Sequence, residues 1–505
     1  MRGTAKVEQG RRGVPAAGDL KPPPHPVEDT ESPAHPRARH RPSMSAHPQP
    51  LPAQPAAQPR SLRRLLAVGT GQVLASQAAL AAAGLGALPV LGRELGPALY
   101  GQFSLYVTLL GVITYQDVAR QLLIHEQSRS DSRPQDLGAL TRLSTLLLFT
   151  LALCVGPLAL GLEAAIALAV VTLLHGLASR DYARLAVAGK AGLVTALRNF
   201  AWAGAFLAVA ALSFRHHGPL AWSTPFVVAA AFVLLAYRFL ARGLPSVEST
   251  DSVPGPAWAR WTGWSTLRVS PELPRYRAAI VDLLGFTVAS SALVSIDRLL
   301  LERTTTPEEL GMYCGAYDIA TRVHVASSAL AAMLYPTFAA QIAQHGKTEA
   351  ARRFVQLASV VVVLYFVGLL ALLALDDVIL GTLLGPAFVA SRPLFVLMLV
   401  GVFVHLFGFL VTPWQRAQGD FATTRLAYQR AAVVMLAVGV VMVPLHGALG
   451  ALIAYLCSRV AELQLVAIEL RRLPAELGVP RRLSYAAAML AVLTMLCLLR
   501  FQELA

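Results

Sequence analysis

Charge is scarce in this chain. Asp, Glu, Lys and Arg make up 14% of its 505 residues, against 55% hydrophobic. A soluble fold needs more charge than this to cover its surface, so a soluble enzyme or binding module is excluded. Cysteine is also scarce: Cys154, Cys314, Cys457 and Cys497 stand far apart inside apolar segments. They show no metal-ligand spacing and read as small buried hydrophobes. No G-x-x-x-x-G-K-[ST] stretch is present, so the chain does not hydrolyse ATP itself. The hydrophobic runs do not alternate with polar residues, which excludes a membrane β-barrel. Nothing in the sequence calls for a metal or an organic cofactor.

What is there is apolar length. Thirteen segments near 65–90, 100–124, 140–161, 163–187, 191–213, 220–241, 276–301, 311–341, 354–375, 391–413, 426–445, 447–470 and 484–501 are predicted to be membrane spans. Most are about 20 residues or longer, enough to cross a hydrocarbon core of roughly 30 Å. The fold class is an all-α polytopic membrane protein. The net charge of +14 does not indicate nucleic acid, because the basic residues fall at the ends of apolar segments. They cluster at alternate junctions: Arg60, Arg63 and Arg64, then Arg129, Arg133 and Arg142, and later Lys347, Arg352 and Arg353. That bias places these junctions and the N-terminus in the cytoplasm. The chain is therefore a multi-pass protein of the cytoplasmic (inner) membrane. All external loops are short, which argues against a membrane enzyme such as a glycan polymerase or ligase.

The organisation follows. Residues 1–60, rich in Pro, His, Ala and Arg, are predicted to be a disordered cytoplasmic tail. Residues 61–241 form a first lobe of six helices and 276–470 a second. Residues 242–275, with Trp258, Trp261 and Trp264, are the cytoplasmic linker between them. Residues 471–505 carry a thirteenth helix that either crosses the membrane or lies on its surface.

One junction is written twice. Leu91, Arg93, Pro97, Gly101 and Phe103 recur as Leu301, Arg303, Pro307, Gly311 and Tyr313, always 210 positions on. Both copies join an outward-going span to an inward-going one. The lobes are thus predicted to be parallel repeats about an axis along the membrane normal. Arg93, Pro97, Gly101, Arg303, Pro307 and Gly311 are assigned to turn geometry or gating at the external mouth.

The stretch Asp297 to Leu301, the loop Pro307 to Tyr313, and Tyr335-Pro336 resemble the oligosaccharide flippases of the multidrug/oligosaccharidyl-lipid/polysaccharide exporter superfamily. So do Gly385-Pro386-Ala387-Phe388 and the Gly447–Ala451 stretch. The resemblance covers roughly residues 60–470, and O-antigen flippases are its nearest type. It implies a MATE-like fold of 12–14 transmembrane helices and a polyprenyl-diphosphate-linked oligosaccharide as substrate. It also implies membrane lipid and polysaccharide assembly proteins as partners. A lipid II flippase and a drug/cation antiporter of the same superfamily are the alternatives.

Ionisable groups inside spans usually face a cavity or a partner. Asp117 and Arg120 share one helical face, as do Asp318 and Arg322. Each set reads either as a local ion pair or as a functional group. Arg120, Arg322, Arg198 and Arg298 are the candidate substrate-binding residues, since a guanidinium matches phosphate oxygens and stays charged. Asp117 and Asp318 are the candidates for coupling to a proton or sodium. Arg459 and Glu462 read as a pair within one helix. The predicted mechanism is alternating access between the two lobes.

Overall fold

The computed structural model describes residues 59–115, most of 145–185, 190–214, 218–242, 273–474, 477 and 479–504. The N-terminal tail, Asp117, Arg120, most of the 242–275 linker and much of the third span lie outside the described residues.

Long apolar stretches without interior hydrogen-bond competitors have one solution in lipid: each backbone group must bond within its own helix. The described residues are accordingly almost wholly helical. In chain order they form α1 (Pro59–Tyr115), α2 (Leu162–Leu185), α3 (Ala191–Ser213), α4 (Pro219–Ala241) and α5 (Leu273–Thr304). Then come α6 (Pro307–Ala320), α7 (Val323–Ala374), α8 (Asp376–Leu383), a 3-10 turn (Pro386–Ser391), α9 (Arg392–Ala417), α10 (Phe421–Leu470) and α11 (Val479–Leu504). Nine of the described helices are long and apolar enough to cross a membrane. Outward residues such as Leu235, Phe239, Leu364 and Leu445 are exposed, as lipid-facing side chains should be.

Three helices are too long for one crossing. The 50 residues of α10 would reach about 75 Å if straight. Each long helix instead turns back at a glycine with positive φ: Gly96 in α1, Gly346 in α7 and Gly447 in α10. Only glycine adopts this backbone without strain, so each helix becomes two antiparallel arms. The predicted end of the first span at 90 therefore falls short, since α1 continues to the bend at Gly96.

The two copies of the repeated junction turn by different means. The first uses Gly96 followed by Pro97. The second uses Thr306, whose side chain accepts a hydrogen bond from Glu309 N, followed by Pro307 at the first position of α6. Proline suits that position because its missing N–H is not needed there.

The thirteenth predicted helix is present as α11. Arg482 Nη1 donates to Ser359 Oγ at 2.7 Å near its start, and Arg500 reaches Asp376 at 3.4 Å near its end. It therefore runs alongside the second arm of α7, and Arg482–Gln502 is long and apolar enough to cross a membrane.

Asp376 is a structural anchor between α7 and α9. Arg392 grips its carboxylate with two hydrogen bonds of 2.8 and 2.9 Å. Burial alone would raise this carboxyl, but the hydrogen bonds from Arg392 and Arg500 outweigh it and hold it below the usual carboxylate range. Ionised Asp376 thus supports the fold above its unfolded value, about 3.9. That support is lost as pH falls through its lower folded value. Asp376→Asn is expected to lower the thermal midpoint at neutral pH and to flatten its decline in acid. Identical acid profiles for the two proteins would contradict this.

Candidate functional site

The two copies of the repeated junction touch each other. A Cβ on Gly101 would lie 2.8 Å from the Gly311 nitrogen, and one on Gly311 would lie 1.7 Å from the Pro97 carbonyl oxygen. The second arm of α1 and α6 therefore cross backbone to backbone at these two glycines. Glu309, on the same turn of α6, accepts a 2.6 Å hydrogen bond from Ala448 N. It seats the first N–H of the second α10 arm, where a helix start favours negative charge. Beside this crossing Tyr100 meets Phe388 edge-on at 5.4 Å, and Gly92 is packed against the Leu384 backbone.

One to two turns deeper, a polar network spans the same seam. Tyr100, Ser104 and Thr108 lie four residues apart along α1, so their hydroxyls share one face. Asp318 of α6 accepts from Tyr100 at 3.0 Å and from Ser104 at 2.7 Å. Arg298 of α5 pairs with the other Asp318 oxygen at 3.0 Å. It also donates to Ser104 Oγ at 3.1 Å, to the Ser104 carbonyl at 3.3 Å and to Thr108. Its guanidinium rests 4.4 Å above the Tyr317 ring. Arg298 is 2% exposed, and an ion this buried is tolerated only with a paired charge and filled hydrogen bonds. Asp318 supplies the charge and α1 supplies the bonds to Nη1, while Nε has no hydrogen-bond partner. The network is thus a latch that joins α1 to α5 and α6.

Asp297 points away from it, accepting from Tyr313 at 2.6 Å. Neighbouring residues of one helix thus serve different contacts, as their roughly 100° separation requires.

Arg322 does not pair with Asp318. The helix stops at Ala320, and a tight turn through Thr321 and Arg322 starts α7. The expected i, i+4 face does not exist there. Arg322 instead lays its guanidinium on the bare backbone of Gly84, where a Cβ would be 2.9 Å from Nη1. Its Nε has no hydrogen-bond partner, and no carboxylate pairs with it among the described residues.

The other predicted residues are spread out. Arg198 is buried on α3 beside Asn199, whose amide donates to Ser76 Oγ at 3.0 Å. Arg93 is exposed and donates to the Thr382 carbonyl at 3.3 Å. Arg303 is exposed and pairs with Glu302 at 3.4 Å. Pro97, Gly101 and Gly311 meet at the crossing, and Pro307 is the exposed first residue of α6. Sequence reasoning missed Tyr100, Ser104 and Thr108; the only signal was their regular spacing on an apolar helix.

Arg459 and Glu462 do pair within α10, at 2.9 Å. Their environment adds a partner from α9, His405, whose Nδ1 lies 2.8 Å from Glu462 Oε2.

No family model matches the chain, and no curated protein matches its sequence. Solved structures do match its shape. The lipid II flippase MurJ, in an inward closed conformation, superposes with a TM-score of 0.58 at 10% identity, over 87% of this chain and 98% of that one. A eukaryotic MATE transporter, AtDTX14, gives a TM-score of 0.49 at 12% identity, over 86% and 99%. An inward-facing MATE family transporter of the MOP superfamily gives 0.44 at 13%, over 84% and 96%. The chain therefore has the all-helical, polytopic membrane fold found in the lipid II flippase MurJ.

Proposed function

We propose that this protein is a flippase that carries a polyprenyl-diphosphate-linked oligosaccharide across the cytoplasmic membrane by alternating access. The observation that carries the reading is Arg322: a partly exposed guanidinium between α1 and α7 with no carboxylate partner among the described residues. Holding a cation within a membrane-spanning bundle without a counter-ion is costly, and a visiting diphosphate would relieve that cost with bidentate, charge-assisted hydrogen bonds. Arg120 is assigned a second contact to the headgroup, and Arg198 a place along its path. Arg298 has a charge partner in the latch, so its work in this scheme is to hold the closed state. The Arg bias of alternate junctions supports a cytoplasmic N-terminus. On that orientation the Gly101–Gly311 crossing closes the outer face, and its separation opens the way out. Asp318, filled by three donors, serves the latch; coupling through Asp117 or Asp318 to a proton or sodium is part of the proposal.

The fold supports a transporter over a membrane enzyme. A cationic contact favours an anionic headgroup over the cationic substrate of a drug antiporter. Lipid II is the second reading, favoured by the likeness to a lipid II flippase, and it too is a polyprenyl-diphosphate-linked saccharide.

Arg322→Ala, at normal membrane levels, is expected to cut export of lipid-linked oligosaccharide at least tenfold, roughly the worth of one charged hydrogen bond. Arg322→Lys should recover part of it. Full export in the alanine variant removes Arg322 from the mechanism. Competition by added lipid II separates the two substrate readings.

A further inference from the structure

A second buried polar cluster lies outside the latch, within the α5–α11 half of the chain. Its centre is a triangle. Glu462 Oε2 is 2.8 Å from His405 Nδ1 and 2.9 Å from Arg459 Nη1, and those two nitrogens are themselves 2.9 Å apart. The three distances conflict for a single proton state. Nδ1 holds at most one hydrogen. With it, His405 donates to Glu462 and meets an Arg459 N–H head-on. Without it, His405 accepts from Arg459, and its lone pair faces a carboxylate oxygen. The proton therefore decides which neighbour His405 holds.

Every element around the triangle contributes a titratable or charged group, or a bonding contact. From α7, His324 crosses the His405 ring edge-on at 5.0 Å, and its Nδ1 is hydrogen-bonded to Tyr365. From α10 come Tyr455, 4.8 Å under the Arg459 guanidinium, and Tyr428, which is electrostatically coupled to Glu462. From α5 the Leu293 carbonyl accepts from Arg459 Nη2 at 3.2 Å. From α6 Tyr317 meets Tyr455 edge-on at 5.7 Å. Three buried atoms of the cluster lack hydrogen-bond partners: His324 Nε2, Arg459 Nε and Glu462 Oε1. The Glu462 carboxylate lies where any Cβ on Gly408 would be 2.3 Å from Oε1, so a glycine makes room for it. The His405 side chain keeps 20% exposure.

We infer that His405 and Glu462, backed by His324, form a proton-binding site that sets the latch. Binding takes one proton from water onto the His405–Glu462 unit, and no other bond is made or broken. His405 then holds Glu462 and repels Arg459. Arg459 is the lever: it contacts α5 at Leu293, and through Tyr455 and Tyr317 it reaches the ring beneath Arg298 of the latch. The inference rests on the alternating-access reading and names the group that drives it.

The test needs no substrate. The full chain is placed in lipid nanodiscs with spin labels at the exposed positions Glu94 and Glu308, on the two sides of the Gly101–Gly311 crossing. The inter-label distance is followed from about pH 4.5 to 8, the range in which histidines titrate. Wild type is expected to shift between two distance populations, with their ratio changing about tenfold over the range. His405→Gln keeps the Arg459–Glu462 pair, so it should stay folded and lose the pH response. His324→Gln should move the midpoint. A wild type that ignores pH, or a His405→Gln variant with an unchanged midpoint, overturns the proposal. A His405-dependent response in a protein that moves no lipid-linked oligosaccharide overturns the transport reading and leaves the proton site standing.

Discussion

Gly311→Ala is expected to hold α1 and α6 apart and to reduce transport more than tenfold. The added methyl would sit 1.7 Å from the Pro97 carbonyl oxygen. That atom is backbone, next to a proline, and cannot swing aside as a side chain would. Overpacking usually costs about 1–3 kcal/mol, and every 1.4 kcal/mol is about a tenfold change in an equilibrium. The cost falls only on the closed crossing, so the protein should fold but populate the separated state. Gly101→Ala should act in the same direction and more weakly, since its methyl would meet Gly311 atoms at 2.8 and 3.0 Å. Gly86→Ala, on the same helix with nothing within 4 Å, is the control and should transport normally. Distances between labels at 94 and 308 read the effect directly. Equal distances in Gly311→Ala and wild type would remove the crossing from the mechanism.

Asp318→Leu is expected to be the most destabilising single change at the seam. It leaves Arg298 buried without its counter-charge, a loss of about 3–5 kcal/mol in buried pairs. Tyr100 and Ser104 would lose their acceptor as well. Thermal unfolding in detergent should show a large drop in midpoint. The double variant Arg298→Met with Asp318→Leu should regain much of that stability, because it removes both charges together. It should not regain transport if the pair is a latch. Recovery of both stability and transport would make the pair purely structural.

Much of the architecture was legible because lipid imposes it. Span length follows from hydration costs that act on each segment alone. The repeat was visible as Pro97 with Pro307 and Gly101 with Gly311 in register. That the two copies pack on one another was not, since contact between residues 210 positions apart leaves no local mark. The same limit hid the partner of Asp318. Its spacing to Arg322 matched a helical ion pair, but the helix ends at Ala320 and the true partner, Arg298, lies on α5. Arg459 and Glu462 were legible because their pairing is local; His405, 57 positions before Glu462, was not.

The central claim is that this chain moves an anionic, diphosphate-linked saccharide by opening and closing the Gly101–Gly311 seam. The direct measurement is flipping of a fluorescent polyprenyl-diphosphate-linked oligosaccharide in proteoliposomes containing the purified full chain. The account predicts protein-dependent flipping that falls at least about tenfold in Arg322→Ala and in Gly311→Ala. Flipping no faster than in protein-free vesicles, or equal in wild type and both variants, would contradict it.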